Sequence, residues 1–174
     1  MSGRQRIIKR LKSYWKLEAG NAFLIPAMMF WFTGGNLGLV SYVAMAPMIL
    51  LLLIGAAYWH AKWLQLTDAS FDIVPHLTIF RRLRTPALVL TITALGWTIY
   101  AWLNTSISVG FADRVVASIA SGLALAEYVN YYHRQLQHFD NVADFKRLLR
   151  GKGFRRSQMA IDLEEVGADQ TGKS

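Results

Sequence analysis

The residue whose type and position point most directly to chemistry is Glu127, a carboxylate within an apolar stretch. Asn130, Tyr131 and Arg134 follow at i+3, i+4 and i+7, so a helix places all four side chains on one face. We interpret this polar stripe as a candidate intramembrane polar site. A carboxylate in hydrocarbon is unfavourable unless it is protonated or paired, and such residues often mark an ion or substrate path.

Two histidines extend this candidate site. His60 ends an apolar stretch and is a candidate partner for Glu127, whereas His133 lies off the stripe near the membrane interface. In a functional interpretation, Glu127 exchanges a proton or binds a cationic group. In a structural interpretation, it pairs with His60, Arg134 or a tyrosine hydroxyl and determines how the helices pack. We favour the structural interpretation, because a glutamate one turn from the interface can also extend its side chain to water.

Small residues occupy another face of the same predicted helix. Ser118, Gly122 and Ala126 are spaced by four, a pattern that lets two helix backbones approach closely. We predict helix packing through this row, as an internal contact of one bundle in preference to a dimer interface.

Three arginines follow an apolar pattern in the segment 62–85. A short helix lying in the membrane interface would bury that apolar face and place Arg81, Arg82 and Arg84 among anionic lipid headgroups. An irregular loop is the alternative, because Pro75 disturbs the helical pattern.

The histidine spacing gives little support for a metal site. His133 and His138 are five residues apart, which turns one about 140° from the other on a helix. The sequence contains no phosphate-binding loop, nucleophile elbow, zinc-protease motif or dinucleotide fingerprint. We therefore predict no metal site, no cofactor and no catalytic residues.

The elements that must position these residues follow from composition. The chain is 53% hydrophobic and 17% charged, whereas soluble domains carry roughly 45–50% apolar and about 25% charged residues. Residues 22–59 contain no acidic, basic or histidine residue. As one helix they would extend roughly 57 Å, nearly twice a hydrocarbon core of about 30 Å, so they must fold back. The glycines and asparagine of Thr33-Gly34-Gly35-Asn36 predict the turn there.

We predict an all-α polytopic membrane protein with four transmembrane helices arranged as two hairpins, together with short amphipathic cytoplasmic helices. The predicted spans are approximately 15–32, 37–59, 86–103 and 115–132. The alternative is a buried soluble bundle, which would show polar stripes at a helical period. Residues 37–59 show no such stripe.

The basic residues orient this topology. Eighteen of the nineteen lie on one side of the predicted membrane, and only Arg114 lies on the other. Four spans place both termini and the middle loop on one face, which the positive-inside rule makes cytoplasmic. The net charge of +8 is therefore an orientation signal of a multi-pass protein of the cytoplasmic (inner) membrane. We expect contact with anionic lipid headgroups and not with nucleic acid.

Three segments flank the transmembrane domain, 15–132. Residues 1–14 form a basic cytoplasmic N-terminus, 133–166 an amphipathic cytoplasmic tail, and 167–174 a disordered end. The tail is either a pair of interfacial helices or a docking surface for a cytoplasmic partner, since amphipathicity alone does not separate the two.

Three functions remain open at this point. The leading hypothesis is an accessory, assembly or scaffold subunit of a membrane complex, with a membrane-protein partner or a second copy of itself. The second is a small oligomeric proton-coupled transporter or channel that uses Glu127. The third is an intramembrane enzyme built on Glu127 with His60 and His133, which we favour least because the chain carries no recognised catalytic motif.

Overall fold

A computed structural model describes residues 3–136 and 154–171 of the chain. Its elements in chain order are α1 (Gly3–Phe32), α2 (Leu39–Thr67), α3 (Val74–Leu103), a 3-10 turn (Thr105–Ile107), α4 (Phe111–Tyr132) and α5 (Gln158–Thr171). Within these ranges the only extended pairing is a single backbone bridge between Arg134 and Arg156. The predicted all-α class is confirmed.

The helix α2 lies at the centre of the bundle. It packs against α1, α3 and α4, which explains why its sequence can be apolar on every side. Met48, Leu51 and Tyr58 are fully buried. In contrast, α3 leaves Val89 and Ile92 more than half exposed. The most hydrophobic helix, α2, therefore forms the core of the bundle, and apolar side chains of α3 lie on the outer surface of the bundle.

Two of these helices, α2 and α3, are long and apolar enough to cross a membrane by length and composition. Four such spans were predicted, and two helices, α2 and α3, meet this criterion. The helix α1 begins with a strongly basic half, and α4 carries Asp113, Glu127 and many small residues, which lower the mean hydropathy of both.

The turn between α1 and α2 lies where the glycines predict it. Gly34 and Gly35 adopt φ values of 62° and 78°, in the left-handed region that side chains disfavour. Here the chain reverses, and Trp15 of α1 meets His60 of α2 further along the hairpin. We call the end of the bundle near this reversal the turn end. The opposite end, which holds the start of α1, is the basic end.

The helices extend beyond the predicted spans. The segment 1–14 is helical from Gly3, and the predicted interfacial loop 62–85 is mostly helix, with only 68–73 connecting α2 to α3. Pro75 lies in the first turn of α3, where a missing N–H is harmless, whereas Pro86, expected at a helix start, lies inside α3. Leu77 and Phe80 are buried, so packing onto the bundle stabilises this extension.

The tail also differs from its prediction. The amphipathic helix expected near 140–150 lies outside the described residues. The helix α5 packs against α3 and α4, and it continues through 167–171, where disorder was expected. Its apolar side chains Met159 and Leu163 are buried in the core of the bundle, so this face is not free to dock a partner.

Candidate functional site

The predicted polar stripe on α4 is present only in part. The side-chain nitrogen of Asn130 donates to Oε2 of Glu127 at 3.3 Å, and the side-chain oxygen Oδ1 of Asn130 accepts from the backbone N–H of Leu136 at 2.9 Å. Arg134 does not join them, because α4 ends at Tyr132 and the chain turns away. Its guanidinium donates to the backbone carbonyl of Phe154 at 3.0 Å.

A second carboxylate, Glu18 of α1, joins the stripe from across the bundle. The Tyr131 hydroxyl lies close enough to interact with the carboxyl groups of both Glu18 and Glu127, although it forms no hydrogen bond of standard geometry. Glu18 is 7% exposed and Tyr131 is 2% exposed. We call these three residues the carboxyl cluster.

Both carboxylates lie at the same depth. Glu18 is fourteen residues from the end of α1 at Phe32, and Glu127 is fourteen residues from Asp113. Each is therefore roughly 21 Å from the turn end. This match was a detectable signal in the sequence, because Glu18 is the only acidic residue among the first 67.

A glycine of the central helix makes room for the carboxyl cluster. A Cβ at Gly55 of α2 would overlap the hydroxyl and ring of Tyr131. The side chain of Tyr131 thus crosses directly over the backbone of α2 to reach Glu18. The glycine that a neighbouring element contacts closely is therefore Gly55, and the contact is made by a side chain.

The two histidines of the predicted site lie apart from Glu127. His60 packs its ring against Trp15 at 5.0 Å and Trp63 at 5.7 Å between ring centroids. His133 is exposed, with its ring 5.6 Å from that of Tyr128. Burial and then the positive charge of Arg84 lower the pKa of His133. The catalytic constellation that the enzyme hypothesis needs is therefore not assembled among these residues.

The predicted small-residue row of α4 faces outward at its centre. Gly122 has no atom within 4 Å of the position a Cβ would take. Ser118 accepts a hydrogen bond from the indole N–H of Trp102 on α3 at 2.9 Å. This row therefore does not bring another helix of the described chain into close contact at Gly122, and Ala126 is partly exposed.

An apolar groove lies between α1 and α4 near the turn end. Its volume is about 550 Å³. We call it the α1–α4 groove; its lining residues are Ile25, Met28, Met29, Phe32, Thr33, Phe111, Ala112, Val115, Val116, Ile119 and Leu123. Thr33 is the single polar residue among them, so the groove offers almost nothing to water and much to an apolar ligand or helix.

At the turn end, a buried aspartate joins α4 to α2. Oδ1 of Asp113 accepts from the backbone N–H groups of Gly38 at 2.9 Å and of Ser41 at 3.2 Å, and Oδ2 accepts from the N–H of Val109 at 3.2 Å. The Ser41 hydroxyl also donates to Asp113. Asp113 thus caps the N-terminus of α2 from a different helix.

At the basic end, an aspartate of α5 performs a similar role. Asp162 is 6% exposed and accepts from the Tyr58 hydroxyl and the Lys62 ammonium of α2, each at 2.9 Å. These contacts, with the buried Met159, hold α5 across the end of the bundle.

The predicted lipid-binding arginines separate in the structure. Arg81 and Arg84 line a cavity of about 470 Å³ with Arg134 and Arg156, whereas Arg82 is not part of its wall. We call this cavity the arginine pocket. Its remaining lining residues are Tyr132, His133, Ala160, Leu163, Glu164 and Gly167.

Comparison with known protein families, curated proteins and solved structures gives no match. The chain's own geometry therefore defines its class, an all-α bundle with two candidate membrane-spanning helices. In the part of the chain that the structure describes, no three His, Asp or Glu side chains group closely enough to hold a metal ion.

Proposed function

We propose that the chain is a four-span protein of the cytoplasmic membrane that acts as an accessory or assembly subunit of a membrane complex. In this proposal, α1 to α4 all cross the bilayer, and the α1–α4 groove receives a transmembrane helix of another membrane protein. The groove is the observation that carries the proposal, because it leaves apolar surface of two helices uncovered inside the bundle's outline.

Exposed apolar residues support four spans. The turn end of α1 leaves Phe23, Trp31 and Phe32 between 74% and 81% exposed, and Leu103 of α3 is 82% exposed. Such a surface is unfavourable in water and suited to lipid. The helix α4 runs beside these helices and reaches the same two ends of the bundle, so a bilayer that holds α2 and α3 would enclose it as well.

The charge distribution supports the orientation. All four arginines of the arginine pocket lie at the basic end, and Arg114 at the turn end sits over the ring of Trp102 at 5.1 Å. With the basic end in the cytoplasm, the distribution follows the positive-inside rule, with both termini cytoplasmic.

Site-specific crosslinking tests the groove. The chain has no cysteine, so Ile119→Cys places one unique thiol for a photoactivatable crosslinker in the groove. Ile92→Cys on α3 is a matched control, since the two isoleucines are 50% and 52% exposed. In native membranes we expect Ile119→Cys, and not Ile92→Cys, to form an adduct with a different membrane protein.

The same adduct must depend on an open groove. Ala112→Trp fills the groove, and we expect it to abolish the adduct, whereas Gly96→Trp on the open face of α3 should preserve it. An adduct between two copies of the chain would instead make the groove a homo-oligomer interface. Adducts with lipid alone, or adducts that Ala112→Trp leaves unchanged, would contradict the proposal.

The carboxyl cluster favours a second candidate function, a proton-coupled transporter or channel. The carboxyl groups of Glu18 and Glu127 lie beside one buried tyrosine hydroxyl, and carboxylates within membrane-spanning helices often mark an ion or proton path. If Glu127→Gln folds normally in reconstituted vesicles but abolishes proton flux, this candidate replaces the accessory role. Unchanged flux, or none in the native chain, would eliminate it.

A further inference from the structure

The charges of the arginine pocket are only partly balanced by the protein. Among the described residues, Glu164 is the one acidic residue in its wall, and it forms an ion pair with Arg156. This pairing lowers the pKa of Glu164. In the described ranges, the guanidinium groups of Arg81, Arg84 and Arg134 form no ion pair. Among the described residues, three guanidinium groups therefore face one cavity without an ion-pair partner.

Backbone pairing holds two of the arginines against each other. The bridge between Arg134 and Arg156 is antiparallel, and the N–H of Ser157 donates to the carbonyl of His133 at 3.2 Å. Like charges directly opposite each other are unfavourable across such a pair. Glu164 compensates the charge of Arg156 in this pair, and a bound anion would balance the charge of Arg134.

Helix α5 forms one wall of the pocket. Asp162 anchors α5 to Lys62 of α2 at 2.9 Å, and the buried Leu163 contributes to the pocket wall. The arginines therefore come from three separate parts of the chain and are brought together by tertiary packing. Two of them have partners in the protein, Arg134 at the Phe154 carbonyl and Arg156 at Glu164, and guanidinium groups held in place lose less entropy when they bind a ligand.

The pocket lies at a level where phosphate groups are abundant if α3 crosses the membrane. Arg84 precedes Leu103, the last residue of α3, by nineteen residues. This separation is roughly 28 Å of helix, close to the thickness of a hydrocarbon core. Arg84 would then lie level with the cytoplasmic lipid headgroups and within reach of soluble phosphate compounds.

We propose that the arginine pocket binds a phosphate group, carried either by an anionic lipid headgroup or by a soluble phosphate compound, through Arg81, Arg84 and Arg134. Guanidinium groups match phosphate oxygens in geometry and charge. A cavity of about 470 Å³ accommodates a phosphate with an attached headgroup or small organic group. This site does not depend on the accessory role proposed above.

The experiment uses the full chain in nanodiscs of neutral phosphatidylcholine and has two arms. One arm adds phosphatidic acid to the nanodisc and counts retained lipid by native mass spectrometry. The other adds inorganic phosphate in solution at constant ionic strength and measures binding by calorimetry. Arg82→Gln is the matched control for Arg84→Gln, because it removes the same charge from the same helix outside the pocket.

We expect Arg84→Gln to weaken binding about tenfold in the arm where the native chain binds. Arg82→Gln should change it by less than about twofold.

Binding in the lipid arm assigns the site to a headgroup, and binding in the phosphate arm assigns it to a soluble compound. No binding in either arm overturns the proposal. Equal losses in Arg82→Gln and Arg84→Gln also overturn it, because they would indicate general surface electrostatics. The unliganded melting temperature of each variant distinguishes lost binding from lost folding.

Discussion

Two of the sites where this bundle buries carboxylates differ in the donors they provide. Asp113 at the turn end is fully buried and accepts from three backbone N–H groups and one hydroxyl. In the carboxyl cluster, Glu18 and Glu127 share the hydroxyl of Tyr131, with one amide from Asn130 as a further donor. Asp113 has four donors and acts as a structural element, whereas a buried acid with fewer donors is a better candidate for chemistry.

The difference has a geometric origin. Asp113 faces the N-terminus of α2, where backbone N–H groups have no partner within their own helix. Glu18 and Glu127 face the middles of helices, where backbone N–H groups are already paired and only side chains can donate. Helix ends can satisfy a buried carboxylate with main chain, and helix interiors cannot.

Removing the satisfied acid should have the largest effect. Asp113→Ala leaves the N–H groups of Gly38, Ser41 and Val109 without their acceptor. We expect the free energy of unfolding to fall by about 3 kcal/mol or more, because each buried donor left unpaired costs about 1 to 3 kcal/mol. Denaturant titration in detergent measures this change. The control is Asp68→Ala, which removes an exposed aspartate that only caps Ser70; a loss as large in the control would show that the contrast is not due to burial.

Crowding the carboxyl cluster should have an intermediate effect. Gly55→Ala places a methyl group against Tyr131, and we expect a loss of about 1 to 3 kcal/mol as the tyrosine is displaced. Gly96→Ala is the matched helical control, since its Cβ would meet no neighbouring atom. That variant should be neutral or stabilising by up to about 1 kcal/mol. Similar thermal melting of the two variants would mean that Tyr131 does not occupy this position.

Neutralising Glu18, a buried acid with fewer donors than Asp113, should have the smallest effect on stability. Glu18→Gln keeps the shape of the side chain and removes the potential charge from the bundle interior, so we expect a change within about 1 kcal/mol, in either direction. Asp113→Asn makes the same acid-to-amide change, but it turns an NH2 group toward backbone donors and should destabilise by about 1 to 3 kcal/mol. If Glu18→Gln destabilises as strongly as Asp113→Asn, the carboxyl cluster is a structural element like Asp113.

Local signals predicted several parts of the fold well. The Gly34 and Gly35 turn followed from the need for positive φ, and the start of α4 lies close to its predicted position. For the segment 62–85, local signals left a short helix and an irregular loop open. Pro75 can break a helix, but it is also compatible with the first turn of one. The packing of Leu77 and Phe80 decided the outcome there.

The candidate site was predictable only on the helix that carries Glu127. Spacing placed Asn130 and Tyr131 beside it, since neighbours at i+3 and i+4 are a local property of a helix. The same spacing did not place Arg134 beside Glu127, because α4 ends at Tyr132. Glu18 comes from more than 100 residues away in the chain, and no local rule connects the two carboxylates.

The sequence by itself determined that the chain is helical, where its first hairpin turns, and that Glu127 lies within an apolar helix. These features depend on residue types and on the period of one helix, which act over a few residues. The tertiary structure alone decided that Glu18 completes the carboxyl cluster, that Asp113 caps α2, and that four arginines converge on one pocket. Each of these depends on which helix faces lie against each other, and side-chain packing among distant segments sets that arrangement.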